Sequence, residues 1–253
     1  MTDPETILIE VLRWHPDTPE APWWQSYEVP YRADATLLEA LQTIKDDLDG
    51  TLTFRWSCRM AICGSCGCMV NGRPELSCHL LLRDLAPGPV RLEPLAHFPV
   101  IRDLVIDQQD FLDKLPAVGA YLVPAEETEA AAAAPAAPSR QTPAQMADYY
   151  QYAQCINCLL CYSACPQYGL KPDFLGPAAL ALMARHDADS RDHGQAGRRA
   201  ARDADTGVWD CTLVGHCTEV CPQGVDPARA INRNKTASAR DYVFDLLLPG
   251  RRR

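Results

Sequence analysis

No stretch of the 253-residue chain approaches the roughly 18–20 consecutive apolar residues that a bilayer-spanning helix needs, so any membrane anchor is expected on another chain. The opening Met-Thr-Asp-Pro-Glu-Thr is acidic and lacks the basic start of a secretory signal, which points to a chain kept in a reducing cytosol. Positive charge is short: 24 Lys and Arg stand against 33 Asp and Glu, a net charge of −9. That balance argues against nucleic acid as a partner. Disulfide-scaffold composition is also missing, since twelve cysteines in 253 residues fall short of the roughly 8–10% that marks such a scaffold. They still exceed everyday usage, and thiols in a reducing compartment serve metal or redox chemistry. Hydrophobic content of 47% and charged content of 23% are ordinary globular values, and the length suits one to two domains.

The cysteines fall into three groups: Cys58, Cys63, Cys66, Cys68 and Cys78; then Cys155, Cys158, Cys161 and Cys165; then Cys211, Cys217 and Cys221. Between the first two runs an Ala/Pro tract, broken by Pro135 and Pro138, with little to bury. It reads as a linker or insertion, although its alanines could form a short helix. The first half reads as strands and one helix. Ile7, Ile9 and Val11 alternate with Leu8, Glu10 and Leu12, and a second strand is expected near Gln25–Val29. Thr36 and Glu39 have capping-box spacing, with Leu37, Leu41, Ile44 and Leu48 following at helical intervals and Gly50 placed to end the helix in the left-handed region. Met69-Val70-Asn71-Gly72 carries a type I′ hairpin signal. The second half reads as helices opened by Thr142-Pro143 with Gln145, by Gly176-Pro177, and by Asp226-Pro227, the last running to about Arg240.

Cys58, Cys63 and Cys66 follow C-x4-C-x2-C, and Cys78 supplies a distant fourth thiol, the plant-ferredoxin spacing for a [2Fe–2S] cluster. Four thiolates would also hold zinc, but the tight spacing favours the cluster. Cys68, two residues after Cys66 on an expected strand, reads as a free buried thiol. Cys155, Cys158, Cys161 and Cys165-Pro166 form the bacterial ferredoxin run, whose fourth cysteine ligates the other cluster. Set in register with it, Cys211, Cys217 and Cys221-Pro222 place Val214 where a thiol is expected. The crossed arrangement then assigns Cys155, Cys158, Cys161 and Cys221 to a [4Fe–4S] cluster, and Cys165, Cys211 and Cys217 to a three-iron [3Fe–4S] cluster. Six disulfides are arithmetically open, but repeated C-x2-C steps make that a poor reading.

Phe54-Arg-Trp-Ser-Cys-Arg-Met-Ala-Ile-Cys-Gly-Ser-Cys66, Phe98-Pro-Val-Ile-Arg-Asp-Leu104, Cys155-Ile-Asn-Cys-Leu-Leu-Cys161, Gly176-Pro-Ala-Ala179, Ser190-Arg-Asp192 and Cys211-Thr-Leu-Val-Gly-His-Cys217 together resemble the iron–sulfur subunit of succinate dehydrogenases and quinol:fumarate reductases. The resemblance implies an α+β chain: a β-grasp [2Fe–2S] domain over 1–115, a linker with the Ala/Pro-rich insertion over 116–141, and an α-helical [4Fe–4S]/[3Fe–4S] domain over 142–253. It further implies a partner subunit bearing covalent FAD, one or more membrane-anchor subunits with or without haem, and a quinone, with menaquinone the expected type. Placement would be peripheral, at the cytoplasmic face of the cell membrane. Cys165-Pro-Gln-Tyr-Gly-Leu-Lys-Pro172 looks like the fumarate-reductase branch. By the same resemblance Lys235 and Asn232 lie at the quinone side, with His216 a weaker candidate. No acid/base constellation for dicarboxylate chemistry is visible, so the chain is expected to be the electron-transfer subunit of the enzyme. The alternatives are an electron-transfer subunit of another two-module oxidoreductase, such as a heterodisulfide- or thiol-coupled reductase, and a zinc-stapled interaction module.

Overall fold

A computed structural model describes residues 5–18, 20–125 and 139–247. Most of the Ala/Pro tract and the terminal Arg251, Arg252 and Arg253 lie outside the described residues. The chain forms two compact units. The first joins Met1–Gln108 to Ile156–Gly169 and Glu219–Pro222, and the second comprises Gln109–Cys155, Leu170–Thr218 and Gln223–Arg253.

In the first unit, β1 (Thr6–Arg13), β2 (Trp23–Pro30), β3 (Gly67–Val70), β4 (Arg73–Leu76) and β5 (Val90–Glu93) form one sheet in the order β2-β1-β5-β3-β4. Only β1 and β5 pair in parallel; the other pairs are antiparallel. The alternation expected in β1 is realised, with Ile7, Ile9 and Val11 buried against Val70, Leu92 and helix α1 (Leu37–Thr43). Asn71 and Gly72 take the left-handed angles of a type I′ turn between β3 and β4, at φ +50° and +79°. Short α2 (Leu82–Leu85) and the ribbon of β6 (Val100–Arg102) and β7 (Val105–Ile106) complete this part.

Helix α1 begins as expected: Thr36 Oγ accepts from the Glu39 N–H, and Glu39 accepts from the Thr36 N–H. Its end differs. Gly50 does not take the left-handed conformation; instead Ile44–Leu48 widens into a π-turn closed by the Asp49 N–H on the Ile44 carbonyl at 2.6 Å. The wider turn shifts the helical register, and Leu48, expected on the buried face, is 53% exposed. The cause lies in Asp49. Its carboxylate accepts from Thr51, Tyr27 and Arg13, and these bonds, the Thr51 hydroxyl foremost, hold it well below the usual carboxylate range despite burial. Arg13 is 4% exposed and also donates to Asp103, 1% exposed, at 2.9 Å. Asp103 accepts in addition from the Trp14 and Thr53 N–H groups. This ion pair fastens the end of β1 to Thr51–Thr53, the segment that leads into the first cysteine loop.

The second unit is helical: α3 (Gln109–Ala117), α4 (Pro143–Ala153), α5 (Leu160–Ser163) and α6 (Pro166–Leu170) come next in the chain, although α5 and most of α6 belong to the first unit. They are followed by α7 (Pro177–Asp187), α8 (Gln195–Asp203), α9 (His216–Glu219) and α10 (Pro227–Leu247). Helix α7 is buried along nearly its whole length and packs against α4, α8 and α10. The Thr142 capping box forms as expected. Helix α10 continues seven residues past the expected end at Arg240, because Arg202 and Arg199 of α8 pair with its Asp241 and Asp245. Arg198 is 3% exposed and grips both Asp192 oxygens, Asp187, and the carbonyls of Gly119 and Tyr121. No helix among the described residues is long and apolar enough to cross a membrane.

Replacing Asp103 by Ala leaves Arg13 buried with one of its two carboxylate partners and strands two backbone N–H groups. Loss of one side of a buried ion pair costs about 3–5 kcal/mol, and urea denaturation followed by circular dichroism should show a loss of that size. A change below about 1 kcal/mol, the scale of an exposed pair, would mean that the network does not hold the unit. In the second unit His186 is buried with neither ring nitrogen hydrogen-bonded to the described residues. Burial, reinforced by Arg185 and Arg198, pushes its pKa down. The unfolded imidazole, at about 6.5, therefore takes its proton first, so this contribution to stability is complete above that pH and is lost as pH falls toward the lower folded value. His186→Leu should flatten the fall of Tm below about pH 6.5; parallel Tm curves for variant and parent would contradict this.

Candidate metal centres

The first cysteine loop connects the Thr51–Thr53 segment to β3. Arg59, Ala61 and Gly64 have φ of +59°, +57° and +73°, which turns successive N–H groups inward. Cys58 Sγ accepts from the N–H groups of Met60, Ile62 and Cys63 at 3.4, 3.4 and 3.3 Å, and Cys78 Sγ accepts from the Ala61 N–H at 3.3 Å. These bonds, that of Met60 foremost, pull the Cys58 thiol down to about 6. Burial pushes Cys78 up to about 12. Cys63 Sγ in turn accepts from the Cys58 N–H at 3.5 Å. Cys68 stands apart: it is 2% exposed within the β3 core, and burial pushes its thiol up to about 12.

The second loop touches the first inside the same unit. A Cβ on Gly64 would meet the Cα and Cβ of Cys158 and the Ile156 carbonyl at 2.9 Å, so this approach admits only glycine. Asn157 and Leu159 are left-handed, at φ +56° and +65°. Cys161 lies on α5, and Cys165 Sγ accepts from the Tyr168 N–H at 3.4 Å. Tyr162 and Tyr168 meet edge to face at 4.8 Å and both contact Phe98, which seats this segment. Cys158, Cys161, Cys165 and Cys221 belong to the first unit; Cys155, Cys211 and Cys217 belong to the second.

In the third loop Leu213 is left-handed at φ +57°, and its N–H reaches Cys211 Sγ at 3.3 Å. Val214 is half exposed, and Cys217 is buried on α9, which His216 opens from an exposed position. Lys235 Nζ donates to the Cys211 carbonyl at 2.6 Å and lies 5.5 Å from the Trp209 ring centroid. Asn232 is exposed on the same helix.

The left-handed residues are the feature that sequence reasoning missed. Among the described residues, every one with positive φ that is not Gly, Asn, Asp or His lies between cysteines: Arg59, Ala61, Leu159 and Leu213. Residue type signals such a conformation for Gly and Asn but not for these four. In each group at least one thiol accepts from a main-chain N–H — Cys58 and Cys78 in the first, Cys165 in the second, Cys211 in the third — a donor chemistry that fits iron–sulfur clusters.

The chain matches the 2Fe-2S iron-sulfur cluster binding domain over residues 8–113 and the 4Fe-4S dicluster domain over residues 151–225. It is 52% identical to the fumarate reductase iron-sulfur subunit of Mycobacterium tuberculosis, over 97% of this chain and 98% of that protein. The subunit of the same name from Haemophilus influenzae is 48% identical, over 98% of this chain and 99% of the relative. The succinate dehydrogenase iron-sulfur subunit of Paracoccus denitrificans is 36% identical, over 94% and 88% respectively. A chain of the Mycobacterium smegmatis Sdh1 complex in the apo form shares the fold, with a TM-score of 0.82 at 24% identity over 94% of this chain and 97% of that one. With near-complete coverage at such identity and thiol loops built for clusters, the chain belongs to the iron–sulfur electron-transfer subunits of the fumarate reductase and succinate dehydrogenase family.

Proposed function

We propose that this chain relays single electrons between a partner subunit bearing covalent FAD and a quinone, menaquinone in the fumarate-reductase-like reading, as a peripheral subunit held at the cytoplasmic face of the cell membrane by anchor subunits. The observation that carries the proposal is the set of three N–H-lined cysteine loops within a chain so similar throughout to fumarate reductase iron–sulfur subunits. Cys58, Cys63, Cys66 and Cys78 would hold [2Fe–2S]; Cys155, Cys158, Cys161 and Cys221 would hold [4Fe–4S]; Cys165, Cys211 and Cys217 would hold [3Fe–4S]. When bound, these groups supply the one-electron chemistry that polypeptide side chains lack.

The chain's own residues do the rest. Inward N–H groups offset the negative charge of the thiolates. Gly64 lets the first two loops meet, which shortens the path between their centres. Lys235, tethered to the Cys211 carbonyl, offers its remaining N–H donors to a quinone oxygen, while Asn232 on the same helix and His216 at the start of α9 supply further polar groups on that side.

Lys235→Ala should lower the ratio of quinol-linked to artificial-donor turnover about tenfold, the scale of one charge-assisted hydrogen bond, with iron content unchanged. An equal loss in both assays would remove Lys235 from the quinone side. Val214 bears on the third centre, because an isopropyl group cannot ligate iron. Val214 is half exposed, so Val214→Cys should cost little stability. The variant should bind one further iron per chain and lose the paramagnetic signal of an oxidised three-iron centre. Unchanged iron content and an unchanged signal would show that another feature excludes the fourth iron.

A further inference from the structure

Trp209 has no role in the relay described so far, and burial does not account for it, since the side chain is 53% exposed. Its surroundings are nevertheless tightly specified. The indole N–H donates to Ser238 Oγ at 3.0 Å, and Ser238 is itself only 6% exposed. Ser238 follows Lys235 by three residues, so both project from one face of α10 onto the 3-10 turn Val208–Asp210. That turn is pinned from beneath by fully buried Val208 and from its side by the Lys171–Asp210 ion pair at 2.7 Å. The ring thus stands fixed, with the Lys235 ammonium 5.5 Å from its centroid and 2.6 Å from the Cys211 carbonyl. A free lysine side chain carries about 2 kcal/mol of rotamer entropy and does not hold one position unaided.

We propose that Trp209 is a positioning residue: its ring, locked by Ser238, holds the Lys235 ammonium at the mouth of the Cys211 loop so that the donors not engaged by the Cys211 carbonyl are presented to the quinone. The inference rests on the reading of Lys235 as a quinone-side donor. A cation–π contact at a half-exposed site is a modest attraction, and its loss should weaken binding without abolishing it.

The test uses the intact complex carrying Trp209→Leu, Trp209→Phe, Lys235→Ala, or Trp209→Leu with Lys235→Ala. Three quantities are measured: Kd for a redox-inert naphthoquinone analogue, the quinol KM and kcat separately, and iron with acid-labile sulfide. Trp209→Leu should raise Kd and KM about fivefold, the scale of a half-exposed cation–π contact, at full iron content. Trp209→Phe, which keeps a ring, should recover most of the loss. The double variant should bind no worse than Lys235→Ala alone, because the tryptophan acts through the lysine. Wild-type Kd and KM in Trp209→Leu, or additive losses in the double variant, overturn the proposal while leaving Lys235 in place. Loss of iron in Trp209→Leu, with no recovery in Trp209→Phe, assigns the residue to holding the Cys211 loop and overturns it as well. If Lys235→Ala itself binds the analogue normally, the quinone reading of Lys235 falls, and this inference falls with it.

Discussion

Thiolate sulfur is a weak hydrogen-bond acceptor, yet several thiolates held around one centre carry a concentrated negative charge that must be met by donors. In this chain the donors are main-chain N–H groups. Turning consecutive N–H groups toward one point requires residues that alternate between right- and left-handed conformations. Arg59, Ala61, Leu159 and Leu213 adopt the left-handed state despite their Cβ atoms. Strain of this kind amounts to about 1–3 kcal/mol per residue and persists only where surrounding structure enforces it. Much of the remaining architecture can be understood as that enforcement.

In the first unit the enforcement is ionic. Arg13 and Asp103 form a buried pair whose partners include the end of β1, the end of α1 and the Thr51–Thr53 segment that enters the first loop. A charge buried this deeply is tolerated because its donors and acceptors are matched on every side. Its geometry also explains why α1 ends in a π-turn rather than at Gly50: Asp49 is drawn toward Arg13, Tyr27 and Thr51, and the helix opens to reach them. The second loop is seated by aromatic packing instead, with Phe98 against both Tyr162 and Tyr168.

The helical unit repeats the same logic with different partners. Arg198 satisfies Asp192, Asp187 and two carbonyls, joining the segment after α3 to α8. The extra turns of α10 depend on Asp241 and Asp245 answering two arginines of α8. Two of the segments on which the resemblance was read, Phe98–Leu104 and Ser190–Asp192, therefore have structural roles that do not involve a cluster: one contributes Phe98 and Asp103, the other Asp192.

Much of this molecule was legible in its sequence because the signals were local. The β1 alternation, the Thr36 and Thr142 capping boxes, the Asn71-Gly72 turn and the proline-opened helices each depend on contacts within a few residues, so residue type at fixed spacing was enough. The cysteine spacings were legible for the same reason, since the reach of a loop around a cluster is set by chain geometry. The end of α1, the exposure of Leu48, the added length of α10, the close approach of the second loop at Gly64 and the placement of Trp209 against Lys235 were not. Each is decided by a partner distant in sequence: Arg13 for Asp49, α8 for α10, Cys158 for Gly64, Ser238 for Trp209. Tertiary structure alone brings such partners together, and only then does the free energy of their contacts exceed the local preferences that residue type records.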